Sequence, residues 1–331
     1  MIEILSTGAG NSVQDLGRPL YLDQGIGRGG VMDRPALMVA NMLAANPVGA
    51  AAIEVGLMPF RLRFLAPVRF AVAGASADIR LNDTMIPGFW STCAVAGDEL
   101  RIGPPVSGAR LVIAFSGGIA VDPVLGSSST DLKSGFGGFE GRALGRGDRL
   151  RLGDVPLPEC RAPDGFGIDS SLLRPQTGAS PGARALDIRV MAGAELGEFT
   201  AEAQSDLLGG EWSVSQEANR QGMRLEGPVL AMTRKRELLS HGIMPGTVQV
   251  PPSGQPIVQL AEANTCGGYP KIANVIEPDL WKLGQSPTGA RIRFILVSRE
   301  TALAAIRDEA SRLDQIARRI ERLIRPARKS P

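Results

Sequence analysis

The chain has 331 residues, 44% hydrophobic and 21% charged, with 36 basic and 34 acidic side chains and a formal net charge of +2. This is enough apolar material for one large domain or two ordinary ones. The near balance of charge excludes a broad field for gripping nucleic acid or an anionic membrane surface. The 41 glycines lie well above the usual share of about 7% and mark many tight turns between short strands. Aromatic residues make up only 5%, so Val, Ile, Leu and Ala must build the core. Cys93, Cys160 and Cys266 are far apart and odd in number, with neither metal spacing nor a disulfide framework. That usage fits a reducing cytoplasm.

In chain order, Met1 is followed by Ile2-Glu3-Ile4-Leu5 with no basic segment or long apolar run, so neither a signal peptide nor a membrane span is expected. Asp33 can cap a helix with Pro35 in its first turn and Leu37, Ala40, Leu43 and Ala44 on one face, stopped by Asn46-Pro47. Strands are predicted over Val68–Ala73, Leu111–Phe115, Leu186–Met191, Pro256–Leu260 and Arg291–Val297. In the last, Ile292, Phe294 and Leu296 share one side. Leu196–Leu208 reads as a second helix and Glu277–Trp281 as the start of a short third. Residues 155–184, with Pro156, Pro158, Pro163, Pro175 and Pro181, read as a linker. The predicted organisation is a first β-rich subdomain over 1–154, that linker, a second β-rich subdomain over 185–299, and a helix with a basic tail over 300–331.

In the tail, Leu303, Ile306, Ala310, Leu313, Ala317, Ile320 and Ile324 recur at alternating steps of three and four, and Pro326 ends the run. This is a heptad seam. It serves either a homo-oligomer or a helix folded back on its own domain, since Ile316 and Leu323 widen the stripe.

Two loop regions carry the candidate chemistry. Residues 117–142 are rich in glycine and hydroxyls, including Ser129, Thr130, Asp131, Gly137 and Gly138. Backbone N–H groups in such a loop can bind a carboxylate, phosphate or ureido oxygen, or the loop can satisfy itself through its own Ser and Thr. Asp131 can orient a substrate amide or cap the following turn. The second region is Gly267-Gly268-Tyr269-Pro270-Lys271. Its glycines allow close backbone approach to a ligand. Tyr269 can donate to an oxyanion or stack on a planar ureido group, and Lys271 can neutralise developing charge. Gln14 lies in the N-terminal loop with Arg18, which can fork a carboxylate or pair with Asp15. Arg220 and Arg224 flank Gly222 and read as site residues or as surface arginines. His241, the one histidine, reads as peripheral, and Cys266 as a buried substitute for a hydroxyl. No metal site is expected.

Several blocks resemble, in order, the family of allophanate hydrolase subunit 2 and the 5-oxoprolinase C-type (KipA-type) subunit, the biotin-dependent carboxyltransferase subdomain A/B proteins. They are Val13-Gln14-Asp15-Leu16-Gly17-Arg18, Gly126-Ser127-Ser128-Ser129-Thr130-Asp131-Leu132, Gly222-Met223-Arg224-Leu225-Glu226-Gly227-Pro228, residues 248–258, and Thr265-Cys266-Gly267-Gly268-Tyr269-Pro270-Lys271-Ile272. The resemblance implies a mainly β fold of two cyclophilin-like β-barrel subdomains with few short helices. It implies a subunit of a heteromeric enzyme acting on a small amide or ureido substrate, 5-oxoproline or urea among them. Asp131, Arg220, Tyr269 and Lys271 would be catalytic. Gln14, Arg18, Ser129, Thr130, Gly137, Gly138, Arg224, Gly267 and Gly268 would bind substrate. The implied partners are a subunit 1 (KipI-like, B-type) protein and, for 5-oxoproline, a LamB/YcsF-type chain. No covalently bound cofactor is implied, and ATP or carboxybiotin would act through the partners. Some members are instead regulators that bind a KipI-type partner. This chain departs from the family at Ser128, where Arg is common, at Asn219, where Asp is common, at Glu262, where Asp is frequent, and at His241, where Glu is usual.

Overall fold

A computed structural model of the protein describes residues 1–154, 165–174, 185–234 and 238–324. It is mainly β with few helices, and no described helix is long and apolar enough to cross a membrane. The chain divides into two discontinuous units. One comprises residues 1–17, 33–176 and 310–331, and the other residues 18–32 and 177–309. Most of the segment read as a linker, the Cys160 position and the basic end from residue 325 lie outside the described residues.

The first unit holds ten strands in one sheet. Its spine is the antiparallel pair Val68–Leu81 and Glu99–Phe115, flanked by Trp90–Ala94 on one side and by Phe60–Phe64 and Ile2–Ser6 on the other. The long pair shifts register between Gly74 and Ile79. Gly74 has a φ of +117°, and a Cβ there would strike the Arg110 carbonyl. A bulge with glycine at its crowded point lets so long a ribbon bend. Phe64, Phe70 and Phe115 pack at the centre of the core, with ring centroids 5.0 and 6.3 Å apart. Helix α1 (Arg34–Leu43) begins as predicted, with the Asp33 carboxylate accepting from the Ala36 N–H at 3.0 Å and Pro35 in the first turn. Inside the segment read as a linker, Phe166–Gly167 pairs with Trp90–Ser91, so this stretch belongs to the first sheet.

The second unit is a closed seven-stranded barrel. Closure comes from a parallel pair, Leu186–Val190 against Ile292–Leu296, in an otherwise antiparallel set. Its core is built around Trp212 and Phe294, 6.4 Å apart, and the Trp212 Nε1–H donates to the Leu207 carbonyl. The helix read over Leu196–Leu208 is split. Leu196–Glu198 is a single tight turn, Phe199 is extended and buried, and α2 (Ala201–Gly209) starts only after Thr200, whose hydroxyl accepts from the Ala203 N–H. The apolar period misses this break because Phe199 is buried on either reading. Helix α3 (Leu280–Gly284) follows the turn Glu277–Asp279.

Helix α4 (Arg299–Ile324) is continuous over 26 residues. Its buried stripe is Ala302, Ala305, Leu313, Ile316 and Ile320, whereas Leu303 and Ile306 are 42% and 44% exposed. The stripe is thus rotated from the heptad seam and is covered within one chain, which favours the folded-back reading over an intermolecular one.

Candidate functional site

In the first unit the hydroxyl-rich loop closes on the N-terminal strand. The buried Asp15 carboxylate accepts from Ser127 Oγ at 2.6 Å, Ser129 Oγ at 2.5 Å, the Ser128 N–H at 2.6 Å and the Gly17 N–H at 2.7 Å. Asp15 is therefore satisfied by hydroxyls and backbone rather than by a guanidinium. Thr130 Oγ1 donates to the Val13 carbonyl, and the fully buried Gln14 amide donates to Ser12 Oγ and to the Thr130 carbonyl. Ser129, Thr130 and Gln14 are thus committed inside the protein and act as scaffold for the loop. Asp131 is buried, and its carboxylate accepts from the Ser134 N–H at 2.8 Å, the cap of a turn closed by the Asp131–Phe136 bridge. Gly137 and Gly138 have φ of +68° and +53°, and a Cβ on Gly138 would overlap Thr130 Oγ1. The Ser127, Ser129 and Thr130 hydroxyls are thus engaged within the protein.

In the second unit a polar band crosses four neighbouring barrel strands. Arg220, just before the strand Gly222–Glu226, donates to Glu262 Oε1 at 2.6 Å and to the Gly30 carbonyl at 2.6 Å. Glu262 is buried, so the pair is held largely out of water. Next, Gln259 Nε2 donates to Gln249 Oε1 at 3.0 Å. Gln249 is 4% exposed, its Nε2 has no hydrogen-bond partner, and that nitrogen lies against Gly267, where a Cβ would come within 2.5 Å of it. Lys271, opposite Gln249 in register and also 4% exposed, donates from Nζ to the Gly267 carbonyl at 2.8 Å. Glu195 accepts from the Lys271 backbone N–H at 2.8 Å. Burial pulls the Lys271 ammonium below its ordinary pKa, and the Glu195 charge offsets this only in part. A buried cation without a carboxylate on Nζ is primed either to meet an anionic oxygen or to lose its proton.

Tyr269, two residues earlier, is 47% exposed. The strand His241–Gly242 pairs with Cys266–Gly267, His241 opposite Gly267. Arg224 is a surface arginine paired with Glu217. Arg18 is fully buried in the second unit. Cys266, read as buried, is exposed, because it lies on that two-stranded edge rather than in the barrel wall. Among the described residues no group of three or more His, Cys, Asp or Glu could hold a metal.

Thus Gly267, Gly268, Tyr269 and Lys271 come together, and Arg220 stands at the other end of the same polar band. In the first unit, Gln14, Ser129 and Thr130 share an internal hydrogen-bond network, and Asp131, Gly137 and Gly138 shape the adjoining turn. Sequence reasoning missed Gln249 and Gln259, noted Glu262 only as a departure from the family, and set His241 aside. The available signal was glutamine in two otherwise apolar strand segments, Thr247-Val248-Gln249-Val250 and Ile257-Val258-Gln259-Leu260.

Comparison with known proteins assigns this architecture. Residues 24–296 match the family model of the carboxyltransferase domain, subdomain A and B. The chain is 41% identical over 320 residues to the C subunit of 5-oxoprolinase from Escherichia coli, covering 97% of this chain and 99% of that protein. It is 36% identical over 321 residues to the C subunit of 5-oxoprolinase from Haemophilus influenzae, with the same coverage of 97% and 99%. The crystal structure of Kluyveromyces lactis urea carboxylase matches with a TM-score of 0.84 and 27% identity, covering 100% of this chain and 31% of that one. The barrel, the glycine-bearing loops and these matches agree: the chain belongs to the carboxyltransferase domain, subdomain A and B family.

Proposed function

We propose that this chain is the C-type subunit of a heteromeric 5-oxoprolinase, acting on the small cyclic amide 5-oxoproline together with a subunit 1 (KipI-like, B-type) protein and a LamB/YcsF-type chain. The observation that carries this reading is end-to-end similarity to a free-standing 5-oxoprolinase subunit, against a match to less than a third of urea carboxylase. Lys271 would neutralise charge on the substrate oxygen, and Tyr269 would donate its phenol or stack on the amide plane. Arg220, neutralised by Glu262, would hold the polar band in place. Asp131 would act by shaping its loop. ATP, or a carboxyl donor in a carboxyltransferase relative, would reach the substrate through the partner chains.

The regulatory alternative, a non-catalytic binder of a KipI-like partner, draws on Ser128 and on the engaged state of Arg220. The test is co-expression of this chain with a tagged subunit 1-type protein and a LamB/YcsF-type protein. The proposal expects all three chains in one complex. A stable pair that excludes the third chain favours the regulatory reading, and no association at all overturns both.

A further inference from the structure

His241 Nδ1 lies 3.2 Å from Lys271 Nζ and 3.1 Å from the Leu239 carbonyl oxygen. These two neighbours make opposite demands on one nitrogen. A carbonyl only accepts, so a bond to Leu239 requires a proton on Nδ1. An ammonium only donates, so a bond to Lys271 requires the Nδ1 lone pair. Only one can form at a time.

Lys271 decides between them. Its Nζ carries three N–H bonds, and its acceptors among the described residues are the Gly267 carbonyl and His241 Nδ1. The carboxylate it feels, that of Glu195, is bonded to its backbone N–H. For a nearly inaccessible ammonium, giving up one of two acceptors carries a large desolvation cost. The Leu239 carbonyl lies in an exposed stretch, with Leu239 92% exposed, and water can replace the imidazole there.

We propose that His241 is the positioning residue for Lys271. Its imidazole is neutral, carries its proton on Nε2, and accepts a Lys271 N–H at Nδ1. The ammonium is then pinned between the imidazole and the Gly267 carbonyl, and its third N–H remains for an oxygen of the ligand. Gln249 Nε2, buried and without a partner beside Gly267, supplies a second donor in the same place. Two N–H donors around one glycine suit a carboxylate or an amide oxygen, not a cation. This rests on the reading above that Lys271 meets the substrate, but it is tested without substrate or partners.

Because the chain has one histidine, long-range proton–nitrogen correlation on the uniformly ¹⁵N-labelled full chain reads this imidazole without ambiguity. The measurement is made at about pH 8.5, where an ordinary imidazole is neutral. In the wild type Nδ1 should be unprotonated and Nε2 protonated. In Lys271→Met, with no donor left, the dominant tautomer should shift toward Nδ1–H bonded to Leu239. Lys271→Arg, which restores a donor, should return the wild-type pattern. A wild-type Nδ1–H tautomer, or one tautomer common to the wild type and both variants, overturns the proposal. Should Lys271→Met fail to fold, the wild-type and Lys271→Arg spectra decide on their own: Nδ1–H in either overturns it. Loss of the proposed 5-oxoprolinase activity would leave this result standing, so the two readings fail separately.

Discussion

Asp279 is fully buried and keeps its charge because donors surround it. Arg189 contributes its backbone N–H at 2.8 Å, Nε at 3.0 Å and an Nη at 2.6 Å, and Lys282 Nζ stands 3.1 Å away. Burial pushes the carboxyl pKa up, but the Arg189 hydrogen bonds and the Lys282 charge outweigh it and hold the group below its ordinary value. A carboxyl with a depressed folded pKa contributes stability above its unfolded pKa of about 3.9 and loses it as pH falls through the folded value. Asp279→Asn should therefore cost about 3 kcal/mol in urea unfolding at neutral pH, the cost of stranding a buried partner. The gap from wild type should narrow below about pH 4. Gly138→Ala should cost about 1–3 kcal/mol, since it puts a Cβ at positive φ and onto Thr130. Tyr269→Phe removes a hydroxyl from an exposed side chain. It should leave the melting temperature unchanged and, in the assembled complex, raise KM for substrate. At this scale the sequence revealed less than at any other. The Gly267–Lys271 block stood out because paired glycines beside Tyr and Lys are conspicuous. Gln249 and His241 did not, since their meaning comes from strand register, which places Gln249 opposite Lys271 and His241 opposite Gly267.

Periodicity carried most elements. The strands Leu186–Ala192 and Arg291–Leu296 and helix α1 lie where alternation and capping place them. The strand Glu99–Phe115 was legible only over its last five residues, because Gly103, Pro104 and Pro105 break the pattern. The register shifts opposite that stretch remove ladder bonds that proline cannot make. Helix α4 was legible as a helix, but its buried face was not. Heptad spacing and a straight helix on a core diverge by about 20° per heptad, and the inward positions are those where small Ala302 and Ala305 allow close approach. Ile316→Ala should cost about 2–5 kcal/mol, whereas Leu303→Ser should stay within about 0.5 kcal/mol. Truncation after Ser298 should lower the melting temperature while light scattering gives an unchanged number of chains per particle. A fall in the number of chains would restore the intermolecular seam.

For the whole molecule, the family was legible because several long blocks recur in order, and the mainly β class followed from glycine-marked turns and alternating strands. The excursion of residues 18–32 into the second unit was not legible, since discontinuity is a property of long-range contact and leaves no local pattern. Substrate-level chemistry is equally non-local: the second unit offers a buried cation, two glutamines and a tyrosine, but no complete acid–base set among its described residues. The proposed function has groups from the partner chains complete it. The most direct test is an omit-one reconstitution of ATP-dependent 5-oxoproline cleavage, measured as glutamate release. The three-chain complex should turn over, and both this chain alone and the complex lacking it should be inactive. Turnover by this chain alone, or undiminished turnover without it, would contradict the account.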